Sequence, residues 1–306
     1  MSDRPFVAVI IIFFNAERFI QEAIDSIFAQ SYEEWELLLV DDGSTDGSTA
    51  IARRYAADHP ARIRYLKHSE HANCGMSASR NLGIRHARGK YVAFLDADDT
   101  WFSFTLEEQV AILEIYREAA MVYGPLLWWY SWSGNPEDSQ RDYVERLGVP
   151  PNTLIRPPRL LPLFLLDKAA VPSGMLVRRE AIERVGGFED IFRGEYEDQV
   201  FCAKICLNAP VFVSNRCWYR YRQHPDSSVA IGQMTGNTHS ARMVFLNWLA
   251  RYLSDQKVKD PAVWWALKRE LWRFKYPRLF RLTGQGRSLI QWTNRWLEMK
   301  GGLAKG

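Results

Sequence analysis

Three carboxylates, Asp96, Asp98 and Asp99, fall within four positions in the stretch "YVAFLDADDTW" (Tyr91 to Trp101), directly after five residues that read as a buried strand. Acids this close repel one another, and burying even one unpaired charge is strongly unfavourable. A hard divalent cation would hold them together: Mg²⁺ or Mn²⁺ takes oxygen ligands and commonly uses one or two carboxylates plus substrate phosphates. The structural alternative is a solvated turn in which Asp99 or Thr100 caps the helix that follows.

The elements that must carry these acids alternate strand and helix. Phe6 to Phe14 is a continuous apolar run, Glu17 to Gln30 has apolar residues at helical spacing, and Glu36 to Val40 is a second apolar run ending in Asp41-Asp42-Gly43. The cycle repeats with a helix over Gly47 to Asp58, a strand over Arg62 to Leu66, a helix over Met76 to Ala87, the strand Tyr91 to Leu95 and a helix over Thr105 to Glu118. Strands separated by helices of this length imply parallel βαβ units in a doubly wound sheet. Ligands of such sheets sit at the carboxyl ends of strands, where both acidic clusters fall. Beyond Met121 the pattern is less regular. Trp128 to Trp132 reads as a strand and Ser133 to Pro158 as a long loop; structure resumes at Leu160 to Leu166, Met175 to Val177 and the helix Tyr196 to Leu207. From about Ile231 only helical patterns remain.

A chain of 306 residues, 47% hydrophobic and 25% charged, can bury a large core and is neither disordered nor fibrous. The run Phe6 to Phe14 is too short to span a bilayer and lacks the flanks of a cleaved signal, so it is expected to be a strand of a cytoplasmic protein. The four cysteines show no CxxC pairing, and Cys202 and Cys206 are expected in the core. Two metal or nucleotide motifs fail on inspection. A P-loop needs Ser or Thr after its Gly-Lys, but Gly89-Lys90 is followed by Tyr91; an EF-hand loop begun at Asp42 would place Arg53 where a bidentate Glu belongs.

Five ordered blocks, "VAVIIIFFNAERFIQEAIDSIFAQSY", "ELLLVDDGSTDGS", "GMSASRNLGIRHARGKYVAFLDADD", "PSGMLVRREAIERVGGFED" with "GEYEDQVFCAKI", and "YRYRQHPDSSV", resemble the glycosyltransferase family 2 enzymes of the GT-A fold. The resemblance spans roughly residues 7 to 229 and implies a mixed sheet flanked by helices, a catalytic domain over residues 1–230 and a helical extension over 231–306. It also implies an inverting, non-processive transfer from a nucleotide sugar, a UDP-sugar being expected, to a hydroxyl of a glycan or lipid-linked acceptor. On this resemblance Asp42 hydrogen-bonds the base, Phe14 stacks on it, and Arg80, Asp96 and Ala97 complete the donor side. Asp98 and His224 would hold Mn²⁺ or Mg²⁺. The Glu197-Asp198 pair opens a helix, with Asp198 as general base and Glu197 and Gly174 toward the acceptor. Phe14 stands where relatives more often carry Tyr. "QWTNRW" (Gln291 to Trp296) is one residue too long for the Q-x-x-R-W motif of processive synthases. The rival readings are a nucleotidyltransferase, whose product would be pyrophosphate, and a module that binds nucleotide sugars without turnover.

The net charge of +3 is unevenly distributed: from Ala241 to Gly306 there are fourteen Lys or Arg against four Asp or Glu. Trp248, Trp264, Trp265, Trp272, Trp292 and Trp296 lie among them, the composition of an interfacial helix near anionic lipid. Packing on the catalytic domain or on a second subunit of a homodimer is the alternative. No RNA-binding motif supports a nucleic-acid partner.

Overall fold

A computed structural model describes residues 6–235 and 238–282. The chain divides into two compact units, Met1–Thr238 and His239–Gly306. The first unit begins with β1 (Val7–Phe13), α1 (Ile20–Phe28), β2 (Trp35–Asp41), α2 (Ser48–Asp58), β3 (Ile63–Lys67), α3 (Met76–His86), β4 (Tyr91–Asp96), β5 (Thr100–Trp101) and α4 (Thr105–Ile115). It continues through β6 (Met121–Tyr123), β7 (Leu126–Trp129), β8 (Tyr143–Val144), β9 (Thr153–Ile155), α5 (Leu160–Leu165), β10 (Leu176–Arg178), α6 (Arg179–Val185), α7 (Glu197–Asn208), β11 (Val211–Val213), β12 (Tyr219–Arg222) and α8 (Ser228–Thr235).

Eight strands form one sheet in the order β3-β2-β1-β4-β10-β6-β11-β9. The first four are mutually parallel, as the βαβ pattern predicts, and β10 enters antiparallel to both β4 and β6, which makes the sheet mixed. Every residue of β1 and β2 is buried, which is why β1 reads as an unbroken apolar run and β2 as one between the buried acids Glu36 and Asp41: a strand covered on both faces has no solvent side to alternate with. Helix α3 lies close on β1 because position 83 is glycine; a Cβ there would stand 2.7 Å from Cγ2 of Ile10.

A second sheet of four strands, β5-β12-β7-β8, is not visible in the sequence pattern. The expected strand at Trp128 to Trp132 is β7, shifted to Leu126–Trp129, and the expected loop Ser133 to Pro158 contains β8 and β9. Residues aligned across this sheet share a face. Tyr219 pairs with Leu126 and Tyr221 with Trp128, while Trp128 also pairs with Tyr143. The opposite face carries Arg220, Arg222 and Trp129. Asp99 and Thr100 cap no helix: Thr100 belongs to β5, and α4 starts behind Phe104 without a side-chain cap.

The second unit takes α9 (Thr238–Asp255) from its second residue on, together with α10 (Pro261–Lys275) and α11 (Pro277–Leu282). Asp260 caps α10 by accepting from the N–H groups of Ala262 and Val263 at 2.9 and 3.0 Å, with Pro261 preset for the first turn. Trp264 donates its indole N–H to Val258 O at 2.8 Å, Trp248 stacks on Tyr252, and Trp272 meets Phe280 edge-on; Trp265 is 52% exposed. No described helix is long and apolar enough to cross a membrane. Trp292, Trp296 and the "QWTNRW" stretch lie outside the described residues.

Candidate active site

The acidic turn closes at the end of β4, where the Asp99 N–H donates to Asp96 O at 3.1 Å. There the chain leaves the large sheet and enters the small one through β5, so the acids stand at the junction of the two. Arg222, at the end of β12, fixes this turn. Its backbone N–H donates to Asp99 Oδ1 at 2.7 Å, its Nε to Asp98 O at 2.6 Å, and its outer guanidinium nitrogen to Glu22 on α1 at 2.6 Å. The guanidinium packs over the rings of Phe19, Trp129 and Trp132. Sequence reasoning missed Arg222; the signal was the Tyr-Arg-Tyr-Arg alternation, which puts both arginines on one side of a strand.

Two residues beyond, His224 directs Nε2 to Asp98 Oδ2 at 3.0 Å, while its Nδ1 is buried without a hydrogen-bond partner. A carboxylate and an imidazole at this spacing suit a divalent ion, because cis ligands about 2.1 Å from one octahedral centre stand about 3 Å apart. Among the described residues no cluster of three or more His, Cys, Asp or Glu side chains gathers around a point, so a diphosphate would have to complete the coordination. Asp99 differs from its neighbour. It is buried, Oδ2 has no partner, and burial, with Asp98 and Asp96 nearby, pushes its carboxyl well above the usual range.

Arg80, on α3, is buried between acids from two other elements. It donates to Asp96 Oδ1 at 2.8 Å and to Glu197 Oε1 on α7. Its guanidinium is thus committed to carboxylates of the chain itself. Asp198 follows in the first turn of α7, where Oδ1 accepts the Gln199 N–H at 2.6 Å. Burial raises the Asp198 pKa, and the Arg80 charge offsets only part of that rise. Glu197 moves the same way for the same reasons. Tyr196, just before this pair, is left-handed at φ 72°, uncommon for so large a side chain.

Beyond the ends of β1 and β2, Asp42 is buried and accepts from the N–H groups of Cys74 at 2.7 Å and Gly75 at 3.0 Å. Gly75 is at φ +92°, and a Cβ there would stand 2.8 Å from the Arg193 backbone. Phe14 is 52% exposed at the same end. On the far side of β4, Gly174 O accepts from Gln109 Nε2 at 2.7 Å. Phe14, Asp42, Arg80, Asp96, Ala97, Asp98, Gly174, Glu197, Asp198 and His224, gathered from across the sequence, all line one cleft of about 960 Å³.

The chain resembles known proteins in both sequence and fold. It is 44% identical over 122 residues to EpsE of Bacillus subtilis (strain 168), 40% of this chain and 43% of that protein. It is 34% identical over 122 residues to the Escherichia coli UDP-Glc:alpha-D-GlcNAc-diphosphoundecaprenol beta-1,3-glucosyltransferase WfgD, 40% of this chain and 46% of that one. The match spans less than half the length of either relative. In fold it resembles S. aureus TarS 1-349 in complex with UDP-GlcNAc, at TM-score 0.62 and 19% identity over 94% of this chain and 79% of that one. It also resembles the mannosyltransferase PcManGT from Pyrobaculum calidifontis in complex with GDP-Man and Mn²⁺, at TM-score 0.58 and 20% identity over 97% and 81%. With residues 8–186 matching the family itself, the chain belongs to glycosyl transferase family 2 and has the GT-A fold.

Proposed function

We propose that this chain is an inverting glycosyltransferase that moves a sugar from a UDP-sugar to a hydroxyl of a glycan or lipid-linked acceptor in a single displacement. The observation that carries this reading is the sharing of one cleft by Asp198, the Asp98–His224 pair and the Asp42–Phe14 end. Asp42, oriented by two backbone N–H groups, keeps lone pairs for the imide N–H of uracil, and the exposed ring of Phe14 offers a face for the base. The UDP-GlcNAc complex of TarS and the UDP-Glc in the name of WfgD support uridine.

Asp98 and His224 would hold Mn²⁺ or Mg²⁺, which supplies charge neutralisation to a departing diphosphate. Asp198 takes the proton of the acceptor hydroxyl while that oxygen attacks the anomeric carbon. The bond from that carbon to the diphosphate oxygen breaks, and the nucleoside diphosphate leaves with the electron pair. Arg80 keeps Asp96 and Glu197 in place beside the reacting centre. In this reading residues 1–230 carry the reaction in the cytoplasm. Residues 231–306 bring it to the inner face of the membrane, where lipid-linked acceptors for envelope polysaccharide would be met; a homodimer contact is the other role for them.

The test is Asp198→Asn. Transfer is expected to fall by about 10²- to 10⁴-fold, with UDP affinity in calorimetry retained. Turnover within about tenfold of wild type would remove Asp198 from the role of base. Release of UDP, not pyrophosphate, separates this reaction from nucleotidyl transfer.

A further inference from the structure

The face of the small sheet that carries Tyr219, Tyr221 and Trp128 turns into the cleft, as does Glu145, which follows β8. Glu145 continues the register: its N–H donates to Leu126 O at 3.0 Å, and Oε1 accepts the Leu126 N–H at 3.2 Å. Trp128 stacks on Tyr143 with rings 5.6 Å apart and 8° from parallel, and meets Tyr221 edge-on at 5.1 Å. The row starts at the reacting centre, where the Tyr219 hydroxyl accepts the Asp96 N–H at 3.3 Å, and ends at Tyr143, 40% exposed. Gly174 backs it; a Cβ there would stand 2.7 Å from the Tyr219 ring.

The strands that carry this platform, β7 and β12, run on from β6 and β11, which lie beyond β10 in the large sheet, whereas Asp42 and Phe14 follow β2 and β1 on the other side of β4. A donor with its base at that end leaves the platform free for the other substrate. We propose that this face is the subsite for the acceptor's pyranose ring, with Trp128 and Tyr221 against its C–H face and Glu145 hydrogen-bonded to its hydroxyls. The assignment rests on the glycosyl-transfer reading of the cleft.

The chemistry of the face fits a sugar. Aromatic rings supply rigid apolar area with polar edges, and a carboxyl group serves hydroxyls as acceptor or donor. Burial pushes the Glu145 carboxyl up to about 7, so both roles are open to it near neutral pH.

The test uses the full chain with UDP and Mn²⁺, and saturation-transfer NMR with p-nitrophenyl glucoside, galactoside and N-acetylglucosaminide as probes. Wild type is expected to saturate the sugar protons of at least one glycoside. Trp128→Leu and the conservative Glu145→Gln are each expected to weaken that contact by about tenfold and to leave UDP affinity unchanged, which also reports an intact fold. Undiminished saturation in both variants, or a wild type that binds UDP but none of the glycosides, overturns the subsite. Failure of wild type to bind UDP overturns the glycosyl-transfer reading itself.

Discussion

Asp98 and Asp99 are adjacent, yet they meet opposite surroundings. Asp98 is partly exposed, with its side chain 30% open beside His224, whereas Asp99 is sealed under the backbone of Arg222. Asp98→Ala is therefore expected to abolish the Mn²⁺-dependent part of UDP affinity in calorimetry. A wild-type affinity unchanged by EDTA would show that no ion is involved. As the proposed base, Asp198 is expected to set a pH limb. Because burial raises its pKa, a base at this position is ionised only above that raised value, and activity is expected to fall as pH drops through it. The acid limb of kcat/KM is thus expected above the ordinary aspartate value of about 3.9. A profile flat down to that value would contradict the base assignment. The same burial makes the ionised form of Asp198 unfavourable to the fold, so Asp198→Asn is expected to lose activity without a fall in Tm.

At the scale of elements, close contact between α3 and β1 depends on one missing side chain. Gly83→Ala would drive a Cβ into the side chain of Ile10, which is buried on a central strand. The expected loss is about 1–3 kcal/mol in urea unfolding, and an unchanged midpoint would mean that the helix can shift. The elements from β1 to α4 were legible because apolar runs and helical spacing record burial directly; apart from β5, their boundaries lie within a few residues of those read. The small sheet was not legible. β5 and β8 have two residues each, too few for any period, and β5 pairs with a strand more than a hundred residues distant. The candidate site divides the same way. Asp98, Asp198 and His224 could be read from local motifs, while Arg222 and Glu145 acquire their places only through the register of that sheet.

For the whole molecule, the basic character belongs to its last quarter, and two of that region's tryptophans lie outside the described residues. Of the four that are described, Trp248, Trp264 and Trp272 have partners within their own unit, and Trp265 is more than half exposed. The charge therefore carries more of the membrane reading than the indoles do. In flotation, the full chain is expected to rise with vesicles containing phosphatidylglycerol. It should stay behind with phosphatidylcholine alone, and should release near 1 M salt, where the screening length is about 3 Å. Flotation indifferent to lipid charge would remove that role.

The hydrogen bonds around the acidic turn join distant parts of the chain: Arg222 reaches Glu22 across 200 positions, and His224 reaches Asp98 across 126. Closing such long loops is entropically slow and is rewarded only when both ends are already in place. No short segment contains the acidic turn's partners, so on refolding the Asp98–His224 pair is expected to form late. A chain caught partway would hold most of its helices and strands and still lack the pair proposed to take the metal ion.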